Sequence, residues 1–155
     1  VSAATSWSQR LRELGIALPA VVPPVAAYVP AARTGTLVYT AGQLPMVDGK
    51  LAASGKVGAG VTPERAKELA RVCALNALAA VDGLVGIDAV VRVVKVVGFV
   101  SSAPGFTGQP AVVNGASELF GQVFGEAGQH ARSAVGVAEL PLNAPVEVEV
   151  ILEVS

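Results

Sequence analysis

The sequence predicts a single α+β domain: a mixed β-sheet with two helices packed on one face. Three observations predict it. The chain has 155 residues, 52% of them hydrophobic, which suits one domain with a real core. Two segments carry helical periodicity. The segments around them are rich in β-branched residues, as strands are. The expected order is strand, strand, helix, strand, helix, strand, strand. Residues 1–18 read as a helical extension before a domain spanning 19–155.

Each element has a local reason. Trp7, Leu11 and Leu14 fall near one face of a short helix over Ser6–Leu14, and Gly15 suits its C-terminal cap. Leu18–Pro24 holds three prolines and cannot be helical. Val25–Ala32 reads as extended, and Thr36–Ala41 as a strand. Asp48-Gly49 marks a tight hairpin turn. Gly55–Gly60 is a loop that does not follow a strand and open a helix, so it is not a phosphate cradle. Thr62-Pro63-Glu64 opens a helix: Thr62 caps, Pro63 fits the first turn and Glu64 faces the positive dipole end. It runs to about Leu84, with Leu69, Val72, Cys73, Asn76 and Ala80 near one stripe. Ala89–Val100 is a long apolar strand. After the loop Ser101–Pro110, a second helix aligns Val112, Ala116, Leu119, Phe120, Val123 and Phe124. The strands His130–Ala138 and Val146–Val154 complete the sheet.

Within the long strand, simple alternation puts Val90, Val94, Val96 and Val100 on one face and Val91, Val93, Val97 and Phe99 on the other. Both faces are apolar. Two helices cover one, and self-association is the economical cover for the other. Arg92 and Lys95 then belong at the rim of that interface or paired inside it.

Composition narrows the function. The net charge is −1 with no run of Lys or Arg, which disfavours a nucleic-acid partner. The single cysteine, Cys73, and single histidine, His130, give no metal-ligand spacing. Cys73 sits in a helical stripe and reads as a buried, inert thiol. Arg10, Arg12 and Glu13 interrupt the start of the chain, so no signal peptide is expected. Arg92 and Lys95 break the longest apolar run, so no membrane span is expected either. The expected location is cytoplasmic.

Three separated motifs then stand out. The first is His130-Ala131-Arg132-Ser133, followed by Leu140-Pro141 and Val146-Glu147-Val148-Glu149. The second is Tyr28 followed by a strand ending in Ala41-Gly42-Gln43-Leu44-Pro45, and the third is Val113-Asn114 at the start of the second helix. Together they resemble the Rid (reactive intermediate deaminase, YjgF-type) family over roughly residues 24–154. The resemblance implies a chorismate-mutase-like fold and a homotrimer with sites between subunits. It implies cofactor-free hydrolysis of small 2-imino or enamine acids to 2-oxo acids and ammonia. By the same resemblance, Arg132 holds the substrate carboxylate and Glu147 positions a water. Tyr28 reaches across the interface, and Asn114 lies near the cleft. Ala134 stands where typical members carry a cysteine, so a thiol-dependent mechanism at that position is excluded. Val29-Pro30 replaces the usual Ser-Gln pair, which marks a divergent subgroup.

The residues also admit plainer roles. Arg132 sits among Ala131, Ser133, Ala134 and Gly136, which leave room for a ligand, and its planar fork matches a carboxylate. It could instead pair internally with Glu139, Glu147 or Glu149. Glu147 could face solvent, Tyr28 could pack at an edge, and Asn114 could bond its own helix backbone. His130 is expected at the rim of the site or just behind it. The alternative to an enzyme is a trimer that binds a small carboxylate without turnover. Ribonuclease activity, a label often attached to the family, fits poorly with a net charge of −1 and few aromatics.

Overall fold

The computed structural model describes residues 4–155. The described part of the 1–18 extension forms α1, Trp7–Glu13, while residues 1–3 lie outside the described residues. Ser6 caps α1 by accepting from the Gln9 N–H, and Gly15 follows at φ +70°. Leu11 is buried. The Trp7 indole donates to the Val90 carbonyl at 2.7 Å and meets Phe124 edge-on at 5.1 Å. The N-terminal helix is thereby stapled to the rest of the core.

The main sheet contains β1 (Ala31–Thr34), β2 (Leu37–Thr40), β5 (Val90–Ser101), β6 (Ala131–Val137) and β7 (Val146–Val154). Its spatial order is β1-β2-β7-β5-β6. Only β5 and β6 run parallel; the other pairs are antiparallel. A separate hairpin, β3 (Met46–Val47) and β4 (Lys50–Leu51), turns through Asp48 and Gly49 at φ +50° and +78°. Those angles are the geometry that Asp-Gly favours.

Helices α2 (Pro63–Val85) and α3 (Gln109–Phe124) cover one face of the sheet. Thr62 caps α2 by accepting from the Arg65 N–H. The α3 stripe read from the sequence is buried throughout. At Gly115 the two helices approach so closely that a Cβ would strike the Lys67 carbonyl. Even-numbered residues of β7 from Val146 to Val154 are buried against the helices, and the odd-numbered ones face the other way.

Three expectations need correction. Residues 25–30 are not strand; pairing begins only at Ala31, after Pro30, because proline offers no N–H to a ladder. In β5 the buried face is Val90, Val93, Val96, Gly98 and Val100, so Val93 joins the core and Val94 leaves it. Register shifts between Val90 and Arg92 and between Val93 and Lys95 cause this, since an irregularity breaks simple alternation. Val72 is only half-buried, unlike its neighbours Leu69, Cys73, Asn76 and Ala80.

Candidate functional site

β6 is an edge strand whose residues Arg132, Ala134 and Gly136 register with Val96, Gly98 and Val100 of β5. Those β5 residues are buried beneath the helices, so this row of β6 faces α3. On α3, Pro110, Asn114 and Ser117 recur at helical spacing and form a second, more polar stripe beside the apolar one. The two rows meet at the Arg132 guanidinium. Its Nη1 donates to Asn114 Oδ1 at 2.7 Å and to Ser117 Oγ at 3.2 Å, and its Nη2 donates to the Pro110 carbonyl at 3.2 Å.

These three bonds go to neutral acceptors. Among the described residues Arg132 makes no ion pair, and Glu139, one of the partners considered for it, pairs with Lys56 at 3.3 Å. A guanidinium has five N–H donors. Three are engaged, which leaves Nε–H and one hydrogen of Nη2. Two adjacent donors on a half-buried, uncompensated cation are what a carboxylate needs for a two-point bond. Ala134, one step along the row, offers only a methyl group. Gly136, two steps along, offers nothing: a Cβ there would sit 2.8 Å from Gln109 Nε2 and 3.0 Å from Ser102 Oγ.

Asn114 therefore does not bond its own helix backbone. It lies in the second turn of α3 rather than at its start, and its side-chain oxygen is spent on Arg132. Ser117, which the sequence reading passed over, joins it three residues on, on the same helix face. His130 lies directly behind Ser117, with Nε2 2.9 Å from Ser117 Oγ and Nδ1 2.6 Å from the Gly128 carbonyl.

Glu147 and Tyr28 lie elsewhere. Glu147 is an odd-numbered residue of β7, registered with Phe99 on the sheet face away from the helices. It is half-buried. Burial, and then the neighbouring Glu149 carboxylate, raise its pKa above the ordinary carboxylate value. Its carboxylate occupies the space that a Cβ on Gly42 would take. Gly42 also lines a cavity of about 320 Å³ together with Val25, Tyr28, Pro30, Gln43 and Leu142. Tyr28 is part-exposed there, and its hydroxyl accepts from the Val25 N–H at 3.3 Å.

The predicted residues thus fall into two groups: Arg132, Asn114 and Ala134 on the helix side of the edge strand, and Tyr28 and Glu147 around Gly42 on the other side of the sheet. Neither this cavity nor the larger apolar one of about 570 Å³, between residues 17–23, the β3–β4 hairpin and α2, touches Arg132.

Cys73 is buried, and burial, reinforced by Glu147, holds its thiol well above the ordinary range. Thiolate chemistry there is suppressed. Among the described residues no group of His, Cys, Asp and Glu could hold a metal ion, and no helix is long and apolar enough to cross a membrane.

Comparison with known proteins agrees with this architecture. Residues 8–154 match the family described as "YjgF/chorismate_mutase-like, putative endoribonuclease". The chain is 43% identical to Protein TCP17 of Trypanosoma cruzi over 147 residues, covering 94% of this chain and 92% of that one. The structure of Atu1372 from Agrobacterium tumefaciens is 46% identical with a TM-score of 0.88, covering 96% and 92% of the two chains. A Shewanella oneidensis protein that carries the same endoribonuclease label is 29% identical with a TM-score of 0.92, covering 97% and 100%. With the family model spanning nearly its whole length, the chain belongs to the YjgF/Rid family.

Proposed function

We propose that this protein hydrolyses small 2-imino or enamine acids to 2-oxo acids and ammonia, without a cofactor, in clefts between the subunits of a homotrimer. The observation that carries the reading is the Arg132 guanidinium, tethered on three sides by neutral acceptors with two donors left over. Such a cation is oriented but not neutralised, which suits an anionic ligand bound in one geometry. Ala134, the next residue of its row on β6, adds only a methyl group beside the guanidinium, while the space at Gly136 is taken by Gln109 and Ser102.

Hydrolysis of an imine needs a water placed at the carbon of the C=N bond. Water oxygen bonds to that carbon and the C=N pair moves to nitrogen. A proton passes from the water to the nitrogen, giving a carbinolamine. Its hydroxyl proton then follows to the nitrogen. The oxygen closes the C=O bond of the 2-oxo acid as the C–N bond breaks, and ammonia leaves. Glu147 is suited to carry that proton, because a raised pKa makes it a better base than an ordinary carboxylate. Holding the carboxylate beside a fixed water removes much of the entropic barrier.

Arg132 and Glu147 face opposite sides of one chain's sheet. A second copy must therefore complete the site, bringing its Gly42 segment, Tyr28 and Glu147 to the Arg132 edge. The uncovered sheet face favours such an assembly: it carries Val97, Phe99 and Ile151, all half-buried, and the part-exposed Tyr39 and Val135. The endoribonuclease label of the family sits less well with this chain, whose 11 Lys and Arg are outnumbered by 12 Asp and Glu. In this reading the described part of the N-terminal extension serves as a clasp, held to the core through Trp7.

The test is release of ammonia and 2-oxo acid from imines generated in place by an amino-acid oxidase. The protein is expected to accelerate release over the spontaneous rate; an unchanged rate leaves the non-catalytic binding trimer in its place. Gly42→Ala offers a finer check. Its methyl group displaces the Glu147 carboxylate and no backbone atom, so the fold survives at a cost of about 1–3 kcal/mol. Turnover is expected to fall roughly a hundredfold, as misplacement of a reacting group by about 1 Å does. Pyruvate affinity at Arg132, measured by calorimetry, stays near wild type.

A further inference from the structure

We propose that Ser117 and His130 are positioning residues that act as a directed hydrogen-bond relay, fixing the Arg132 fork for the substrate carboxylate. The inference rests on the reading that Arg132 binds that carboxylate, and goes beyond it by assigning the side chains that aim the guanidinium.

The direction of the relay follows from donor and acceptor counting. The Gly128 carbonyl can only accept, so His130 Nδ1 at 2.6 Å must carry a proton and donate to it. In the neutral ring Nε2 is then an acceptor, and its partner at 2.9 Å is the Ser117 hydroxyl. Serine has one hydrogen to give. Once it is spent on His130, only lone pairs remain on Ser117 Oγ, and one of them faces Arg132 Nη1 at 3.2 Å. The order is Arg132 to Ser117 to His130 to the Gly128 carbonyl, each group donating to the next.

The far end of the relay is rigid. Gly128 is buried, and a Cβ there would strike the Phe120 carbonyl of α3. The His130 ring is held edge-on against Phe120, with centroids 6.0 Å apart. Phe120 is fully buried. The core thus fixes the imidazole, the imidazole orients the hydroxyl, and the hydroxyl orients Nη1. Asn114 supplies the second Nη1 acceptor at 2.7 Å. With both Nη1 hydrogens and one Nη2 hydrogen committed, the guanidinium plane is held, and the unspent Nε–H and remaining Nη2 hydrogen are left for the ligand. Without Ser117, Nη1 keeps one tether and the fork gains freedom that binding must remove.

The experiment compares Ser117→Ala, His130→Phe, His130→Gln and the double variant Ser117→Ala/His130→Phe. Each is measured for pyruvate affinity by calorimetry and for KM and kcat in imine clearance. Phenylalanine keeps the ring packing on Phe120 but removes the acceptor, and glutamine restores an acceptor at similar reach. Ser117→Ala and His130→Phe are each expected to weaken pyruvate binding and raise KM by roughly tenfold, about one hydrogen bond's worth, with kcat changed less than about threefold. His130→Gln recovers most of the affinity. The double variant is no worse than either single one, because both break the same relay.

Wild-type affinity in Ser117→Ala, or additive losses in the double variant, would overturn the relay. Ser117 is a half-buried helix residue and alanine is the best helix former, so that arm stays informative if His130→Phe fails to fold. Arg132→Ala run alongside separates the two levels of the argument. If it leaves pyruvate affinity unchanged, the carboxylate reading itself fails; if it abolishes binding while Ser117→Ala and His130→Phe do not weaken it, only the relay fails.

Discussion

Arg132→Ala is expected to weaken binding of pyruvate and other small 2-oxo acids by about two to four orders of magnitude. The estimate comes from the two unused guanidinium donors. Each charge-assisted bond contributes about 1.5–3 kcal/mol, and about 1.4 kcal/mol is a factor of ten in affinity. Isothermal calorimetry reads the loss directly. Arg132→Lys keeps the charge but is expected to recover little, because an ammonium cannot satisfy Asn114, Ser117 and the Pro110 carbonyl while presenting a planar edge. Folding stability changes by no more than about 1 kcal/mol, since the partners left behind are only half-buried and water can replace the guanidinium. An Arg132→Ala protein that still bound pyruvate normally would place the carboxylate site elsewhere.

Glu147→Gln is expected to do the reverse: pyruvate affinity is retained and kcat falls by roughly 10²–10⁴-fold, the usual contribution of a positioned base. Wild-type turnover should rise with pH through the raised Glu147 pKa, because only the ionised carboxylate can take a proton from water. The Gln variant loses that limb of the profile. Stability carries an independent signature. A carboxyl whose pKa is higher folded than unfolded binds its proton more tightly in the folded state. Its contribution to stability is full below the unfolded value and is lost as pH rises through the raised folded value. Wild type therefore loses stability as pH rises across the window between the unfolded and the raised folded value, and Glu147→Gln does not. Denaturant titrations below and above the window check the difference, which reports on burial and Glu149 rather than on catalysis.

The helices and the C-terminal strands were legible because their signals are local. Thr62 and Pro63 mark a start wherever the chain goes, and alternation over Val146–Val154 needs no partner to be read. The long strand misled for a physical reason: its register shifts are set by pairing with β7, and period-two counting cannot see them. Val25–Val29 has strand-like composition, but Pro30 withholds the donor that would extend the ladder. At the candidate site, Arg132 stood out through the family resemblance; its small neighbours alone left an internal ion pair open. Ser117 was within reach, three residues from Asn114 on one helix face, but became meaningful only once β6 was placed beside α3. The opposition of Arg132 and Glu147 across the sheet depends on strand order, and the space Gly42 leaves for Glu147 is a contact between residues far apart in sequence.

Mixing two inactive proteins tests the shared site most directly. Arg132→Ala and Glu147→Gln chains are unfolded together, refolded in equal amounts and assayed for imine clearance. If each cleft takes Arg132 from one subunit and Glu147 from its neighbour, random assembly leaves about a quarter of the clefts with both residues intact, and activity returns toward about a quarter of wild type. If the mixture stays as inactive as its parents, although mixed oligomers have formed, the two residues do not serve a common cleft between chains.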